Sequence, residues 1–290
     1  MSGSSPSVDT RQRLTDAIIA EIEKGAADWK MPWHRPGATF ALPRNIETDK
    51  AYSGINILSL WIAGDRAGYA HALWGTYLQW QRIGAQVRKG ERGSLVVKYG
   101  TYERKGGEAV DSGDDTEVAK YLKHYFVFNA AQVENFTPPP VAPVAELTVR
   151  LVDVGAFIAA TGAEFREGGT MAFYRRRGPD GSGDYILMPP RSLFVGTATS
   201  TPTESYEATR LHELGHFTGA DHLLAGKFGD RFGDKANAFE ELVAELHAAY
   251  ACAHLGITNA PRPDHAQYLS YWLDLWRAAH KGNNREVSVM

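Results

Sequence analysis

The sequence predicts an α+β protein of two domains in series, and three observations predict it. Residues 138 to 144, Pro-Pro-Pro-Val-Ala-Pro-Val, interrupt the chain near its middle with a segment that is stiff and extended. Before that break, helical periods are followed by strand-like alternation over 87–99 and 121–129. Beyond it, a capped helical stretch carries His212-Glu213-Leu214-Gly215-His216, the H-E-x-x-H spacing. A length of 290 residues suits two domains that each bury a core.

Composition narrows the class. Hydrophobic residues make up 43% and charged residues 22%, as in ordinary globular chains. The net charge of −3 shows no global basicity, so a nucleic-acid surface would have to be a local basic face. The single cysteine, Cys252, excludes an internal disulfide and fits a reducing compartment. It sits in the apolar run AAYACAHLGI, which favours burial over ligation. No apolar h-region follows the first residues, and no stretch reaches the ~18 apolar residues of a membrane span, so a cytoplasmic protein without membrane contact is expected.

Taken in order, residues 1–8 read as disordered. The first domain is expected over 9–137. Leu14, Ile18, Ile19 and Ile22 give a helical period that ends near Gly25, and Trp29 to Trp33 reads as a turn. Helices are expected over 52–69 and 76–83. Strand pattern follows between Val87 and Tyr99 around a glycine-bearing turn at 89–93. The polar, glycine-rich segment 105–117 reads as a hairpin loop, and 121–129 as a strand that closes the domain. After the linker at 138–144, the second domain is expected over 145–290. It opens with a helix over 145–161 and two strands, 171–175 and 185–188. The helix with the histidines comes next, then helices over 237–255 and 263–279.

The helical reading of the H-E-x-x-H segment rests on its flank. Thr201 is an N-cap, Pro202 stands at the first helical position, and Glu204 completes a capping box. Two histidines four residues apart lie on one face of a helix, so both imidazoles can reach one ion. Glu213 then sits beside the ion, placed to take a proton from water. Tyr206, Leu211, Leu214 and Phe217 can turn to a core. The segment and its flanks fit the active-site helix of a zincin, and such a site needs a third protein ligand. His222 completes H-E-x-x-H-x-x-G-x-x-H, the metzincin spacing. Glu241 on the following helix would instead give the gluzincin arrangement. The only methionine beyond His222 is Met290, so a methionine turn is missing, which favours the glutamate. Glu241 and Glu245 share a helix face, so one can bind metal while the other accepts a hydrogen bond from a ligand histidine. The gluzincin type with Glu241 is the leading expectation; Glu245 and His222 stay open as alternatives. Zn2+ is the default ion for such a donor set, and Mn2+ or another divalent ion can take it.

The span 66–99 holds Arg66, Arg82, Arg88, Lys89, Arg92 and Lys98 against one acid, Glu91, with Trp74, Tyr77, Trp80 and Tyr99 interleaved. Cations on phosphates and rings stacked on bases are what a single strand requires. The same composition also describes core aromatics under a wet basic surface, and the residues alone do not separate the two.

The chain resembles the ArdC-type antirestriction proteins of conjugative plasmids. In the first half the resemblance rests on Pro32-Trp33, Pro43-Arg44-Asn45, YSGIN at 52–56, VRKGERG at 87–93 and YFVFNAAQ at 125–132. In the second it continues through DYILMPP, LHELGHFTG, FGD and EELVAELHAAYACAHLGI. It implies an N-terminal domain that binds single-stranded DNA, joined to a zincin-like metallopeptidase domain. It further implies protection of incoming plasmid DNA from host restriction, with a protein of the restriction machinery as an implied peptide substrate. His222 departs from the family pattern. The residues also allow a binding module with a structural metal, or a peptidase without DNA binding.

Overall fold

The computed structural model describes residues 41–103, 118–140, 146–178, 183–196, 200–226 and 235–257. The expected disordered start, the first helix, the turn at Trp29, the 105–117 loop and the 263–279 helix lie outside the described residues, as does the linker from 141 on. The chain divides into two compact units, the first built on Pro43–Pro140 and the second on Val141–Val289.

In the first unit, β1 (Arg44–Asn45) precedes α1 (Ile55–Ala67), and β2 (Leu73–Thr76) leads directly into α2 (Tyr77–Arg82). Then come β3 (Gln86–Val87), β4 (Ser94–Glu103), β5 (Val118–Asn129), a 3-10 turn over Ala130–Gln132, and β6 (Val133–Glu134). One sheet has the order β1-β2-β5-β4, and β3 pairs with β6 in a separate ribbon. Helix α2 starts where the pattern predicts, because Thr76 and Gln79 form a full capping box. Strand β2 was not foreseen. Its four residues are too short to show a period and gain their identity from antiparallel pairing with β5.

The motifs that carry the resemblance are largely structural in this unit. Asn45 accepts from the backbone N–H groups of Glu47 and Thr48 and donates to the Tyr52 hydroxyl. Asn129 and Gln132 form a second capping box, and Gln132 Nε2 also donates to Glu91 and to the Arg92 carbonyl. This ties the NAAQ turn to the VRKGERG turn. Gly93 is small of necessity, since a Cβ there would meet Phe126 Cβ at 2.9 Å.

Asn56 of the YSGIN segment closes the free edge of the sheet. Strand β4 is terminal, and the Asn56 amide both donates to the Val97 carbonyl and accepts from the Val97 N–H, each at 2.8 Å. A side chain thus replaces a neighbouring strand. Asn56→Ala should cost about 1–3 kcal/mol, the penalty for losing a partner on half-buried backbone groups. Hydrogen exchange at the Val97 amide should accelerate while exchange in the second unit stays unchanged.

The second unit contains α3 (Leu147–Thr161), β7 (Phe165–Glu167), β8 (Phe173–Arg175), β9 (Tyr185–Met188), a 3-10 turn over Arg191–Leu193, α4 (Pro202–Phe217) and α5 (Lys235–Leu255). The sheet order is β7-β9-β8, with β7 parallel and β8 antiparallel to β9. Strand β7, three residues long, escaped the sequence reading for the same reason as β2. Alternation sends Ile186 and Met188 of β9 into a core with Val154, Ile158, Tyr206, Leu211, Leu214 and Phe217. The four helix residues expected to face a core do so. Two buried glutamates of α4 are held by arginines. Glu204 takes Arg150 Nη1 at 2.9 Å, and Glu207 takes Arg191 at 2.8 Å and Arg210 at 2.9 Å. No helix among the described residues is long and apolar enough to cross a membrane.

Candidate metal centre and the basic surface

Helix α4 begins with the predicted cap. Thr201 accepts from the Glu204 N–H, Glu204 reaches back to the Thr201 N–H at 3.0 Å, and Pro202 follows the cap. One turn of α-helix between His212 and His216 brings their rings to 5.0 Å between centroids, at 80° to each other. Helix α5 supplies the carboxylate. Glu241 Oε2 lies 3.5 Å from His212 Nε2, and its Oε1 lies 3.7 Å from His216 Nε2. Among the described residues, His212, His216 and Glu241 form a group whose ligand atoms all lie within 4.8 Å of one another. Two imidazole nitrogens and one carboxylate converging at that distance fit a divalent ion of the zinc class and leave room for further ligands.

The other candidates separate by geometry. Glu245 faces the second nitrogen of His212, Nδ1, at 3.5 Å, where it can orient the ring and fix which nitrogen is protonated. Glu213 is buried on α4 between the two histidines in sequence. His222 stays apart from the group. Its Nδ1 lies 3.5 Å from Asp184 and its ring packs edge-on against Phe217. The metzincin spacing is therefore met in sequence, whereas the cluster in space is of the gluzincin kind.

Two residues that build this centre were missed. Gly215, inside the motif, lies where α4 and α5 touch; a Cβ there would come within 2.6 Å of Ala244 Cα. That contact brings Glu241 within reach of the histidines. His247, one turn beyond Ala244, donates from Nδ1 to the Leu211 carbonyl at 2.9 Å. Burial pushes its pKa down, so the ring stays neutral and serves as a clasp between the helices. A motif glycine and a second histidine on the glutamate helix were the available signals.

On the first unit the expected nucleic-acid residues divide sharply. Trp74 and Trp80 are 2% and 0% exposed and belong to the core, Trp74 with Leu60, Val96 and Val127, Trp80 with Ala85, Val87 and Ala130. This corrects their assignment as base-stacking residues, since no base can reach a buried indole. Arg82 is paired with Glu47 at 2.6 Å. Arg88 is held by Glu91 at 2.7 Å and by the Ala131 and Val133 carbonyls. Tyr77 is 41% exposed. Lys89, Arg92 and Lys98 are exposed. The sequence reading overlooked Tyr125, Phe126 and Phe128. Phe126 and Phe128 alternate onto one face of β5, and Phe126 is 56% exposed. The period-2 aromatics of YFVFN were the signal.

Two family models match the chain. Residues 8–128 match the N-terminal domain of anti-restriction factor ArdC. Residues 152–283 match a zincin-like metallopeptidase. The uncharacterized protein y4eC of Sinorhizobium fredii (strain NBRC 101917 / NGR234) is 44% identical over 275 residues, covering 93% of this chain and 85% of its own. A DNA primase TraC of Escherichia coli is 33% identical over 275 residues; the match covers 90% of this chain and only 18% of the primase. Among solved structures, the Mn(II)-bound crystal structure of the antirestriction ArdC protein from plasmid R388 is similar, with a TM-score of 0.67. Its identity is 36%, over 93% of this chain and 89% of that one.

Proposed function

Because the chain belongs to the family of the ArdC antirestriction proteins, we propose that it binds single-stranded DNA and protects incoming plasmid DNA from restriction. On this reading residues 9–137 form the single-strand-binding domain and 145–290 a metal-dependent peptidase domain, joined by 138–144. The observation that carries the second half is the convergence of His212, His216 and Glu241. The first half is supported by the exposed rings of Tyr77 and Phe126 and by exposed Lys89, Arg92 and Lys98, cations without ion pairs among the described residues. Exposed rings that can stack on bases, together with cations free to meet phosphates, are what single-strand binding requires.

His212, His216 and Glu241 would hold the ion, zinc or manganese, which when bound supplies Lewis-acid activation of water and of a substrate carbonyl. Glu213 accepts a proton from the attacking water and passes it to the leaving amine. Glu245 keeps the His212 ring in one orientation through Nδ1. The peptide substrate would be a protein of the host restriction machinery, and the site of action the cytoplasm.

Fluorescence anisotropy with a labelled single strand, and a duplex of the same sequence alongside, tests the DNA half. Binding should be tighter to the single strand and should weaken with salt at a log–log slope of about 0.7 per phosphate contacted. Equal affinity for both forms, or a flat salt response, would reject it.

A further inference from the structure

An open groove of about 470 Å3 on the first unit is lined by Tyr77, Gln86, Arg88, Lys89, Phe128 and Glu134, within the ~300–1,000 Å3 range of small-ligand sites. We propose that this groove takes one unpaired base of the bound strand and selects bases with an exocyclic amino group, cytosine over thymine. The inference rests on the single-strand reading above and adds to it a base preference.

Three features of the groove carry it. The first is flat apolar surface: Phe128 from β5, and Tyr77, whose hydroxyl accepts from Gln86 Nε2 at 2.9 Å. That hydrogen bond fixes one end of the tyrosine ring while much of the ring remains exposed. The second is cationic charge. Arg88 is committed to Glu91 and backbone carbonyls, but Lys89 is exposed and has no ion pair among the described residues. A phosphate beside a seated base would find it there.

The third feature decides which base. Gln86 and Glu134 are register partners across the β3–β6 ribbon, so their side chains project side by side from one face. The Gln86 amide nitrogen is occupied by the Tyr77 hydroxyl and the Val87 carbonyl, which leaves its oxygen as an acceptor. The exposed Glu134 carboxylate is an acceptor only. Glu91 is already engaged by Arg88 and Gln132. Two neighbouring acceptors match the N4 amino group of cytosine and meet the O4 acceptor of thymine unfavourably.

The test is anisotropy with oligo(dC) and oligo(dT) of equal length, at one salt concentration and mildly alkaline pH, where cytosine is neutral. Wild type should prefer oligo(dC) by about fivefold or more. Glu134→Ala, an exposed position, should abolish that preference, weakening oligo(dC) while oligo(dT) holds or gains as a negative charge is lost. Tyr77→Ala should weaken both. Equal binding of both tracts by wild type overturns the proposal, as does a preference that survives Glu134→Ala. Absence of binding to either tract would overturn it together with the single-strand reading, whereas equal binding of both leaves that reading standing.

Discussion

Glu241→Ala should lower divalent-metal affinity by more than about 100-fold. Glu245→Gln should lower it by about 10- to 100-fold, the range for a group that acts through a ligand histidine. His222→Ala should leave it unchanged. This order follows from geometry. Glu241 offers both carboxylate oxygens to the two histidines, at 3.5 and 3.7 Å, whereas Glu245 meets only His212 Nδ1. Calorimetric titration of Zn2+ and Mn2+ into the chelator-treated protein reads all three. A large loss with His222→Ala and none with Glu241→Ala would restore the metzincin arrangement. Glu213→Gln should leave metal affinity nearly intact, since it removes a proton acceptor and no ligand. In a conjugation assay that variant separates hydrolysis from protection: full protection would mean that DNA binding suffices, and lost protection that cleavage is required.

Gly215→Ala should damage the second unit out of proportion to its single methyl group. The added Cβ would sit 2.6 Å from Ala244 Cα and 3.1 Å from the Ala244 carbonyl oxygen, so backbone rather than a flexible side-chain end must give way. Overpacking of this kind costs about 1–3 kcal/mol, and each kcal/mol lowers the melting temperature of a unit this size by about 2–4 °C. Separation of α4 from α5 would also carry Glu241 away from the histidines, so metal affinity should fall with stability. Gly155→Ala is the internal control. That glycine lies in the middle of α3 with nothing within 4 Å of an added Cβ, and the substitution should be neutral or stabilising by up to about 1 kcal/mol. Equal melting temperatures for the two variants would refute the close-approach argument.

The first unit shows why composition misled where pattern did not. A tryptophan among arginines reads the same whether it faces water or core, because the cue is a tally of residue types. Trp74 lies on a four-residue strand, and Trp80 on a helix of six, too short for a period to assign a face. The strand aromatics that do reach solvent, Tyr125 and Phe126, sit on a twelve-residue strand whose alternation is readable. Arg82 and Arg88 were counted as available cations. Apart from Glu91, three positions from Arg88, their partners are Glu47 and the Ala131 and Val133 carbonyls, more than thirty positions away and brought near only by folding.

The sequence by itself determined what is local. The Thr201 cap, the proline after it and the four-residue histidine spacing specify a helix with two imidazoles on one side, since every interaction involved spans a single turn. Helix α5 and its paired glutamates were equally legible. The sequence favoured Glu241 but left Glu245 and His222 open, and tertiary structure separated the three. His222 is only six positions beyond His216 yet turns to Asp184, while Glu241 arrives from the next helix. Spacing along a chain measures proximity only within one helix or strand. Between elements, proximity depends on how closely two backbones can pack, and here a glycine without a Cβ sets that distance.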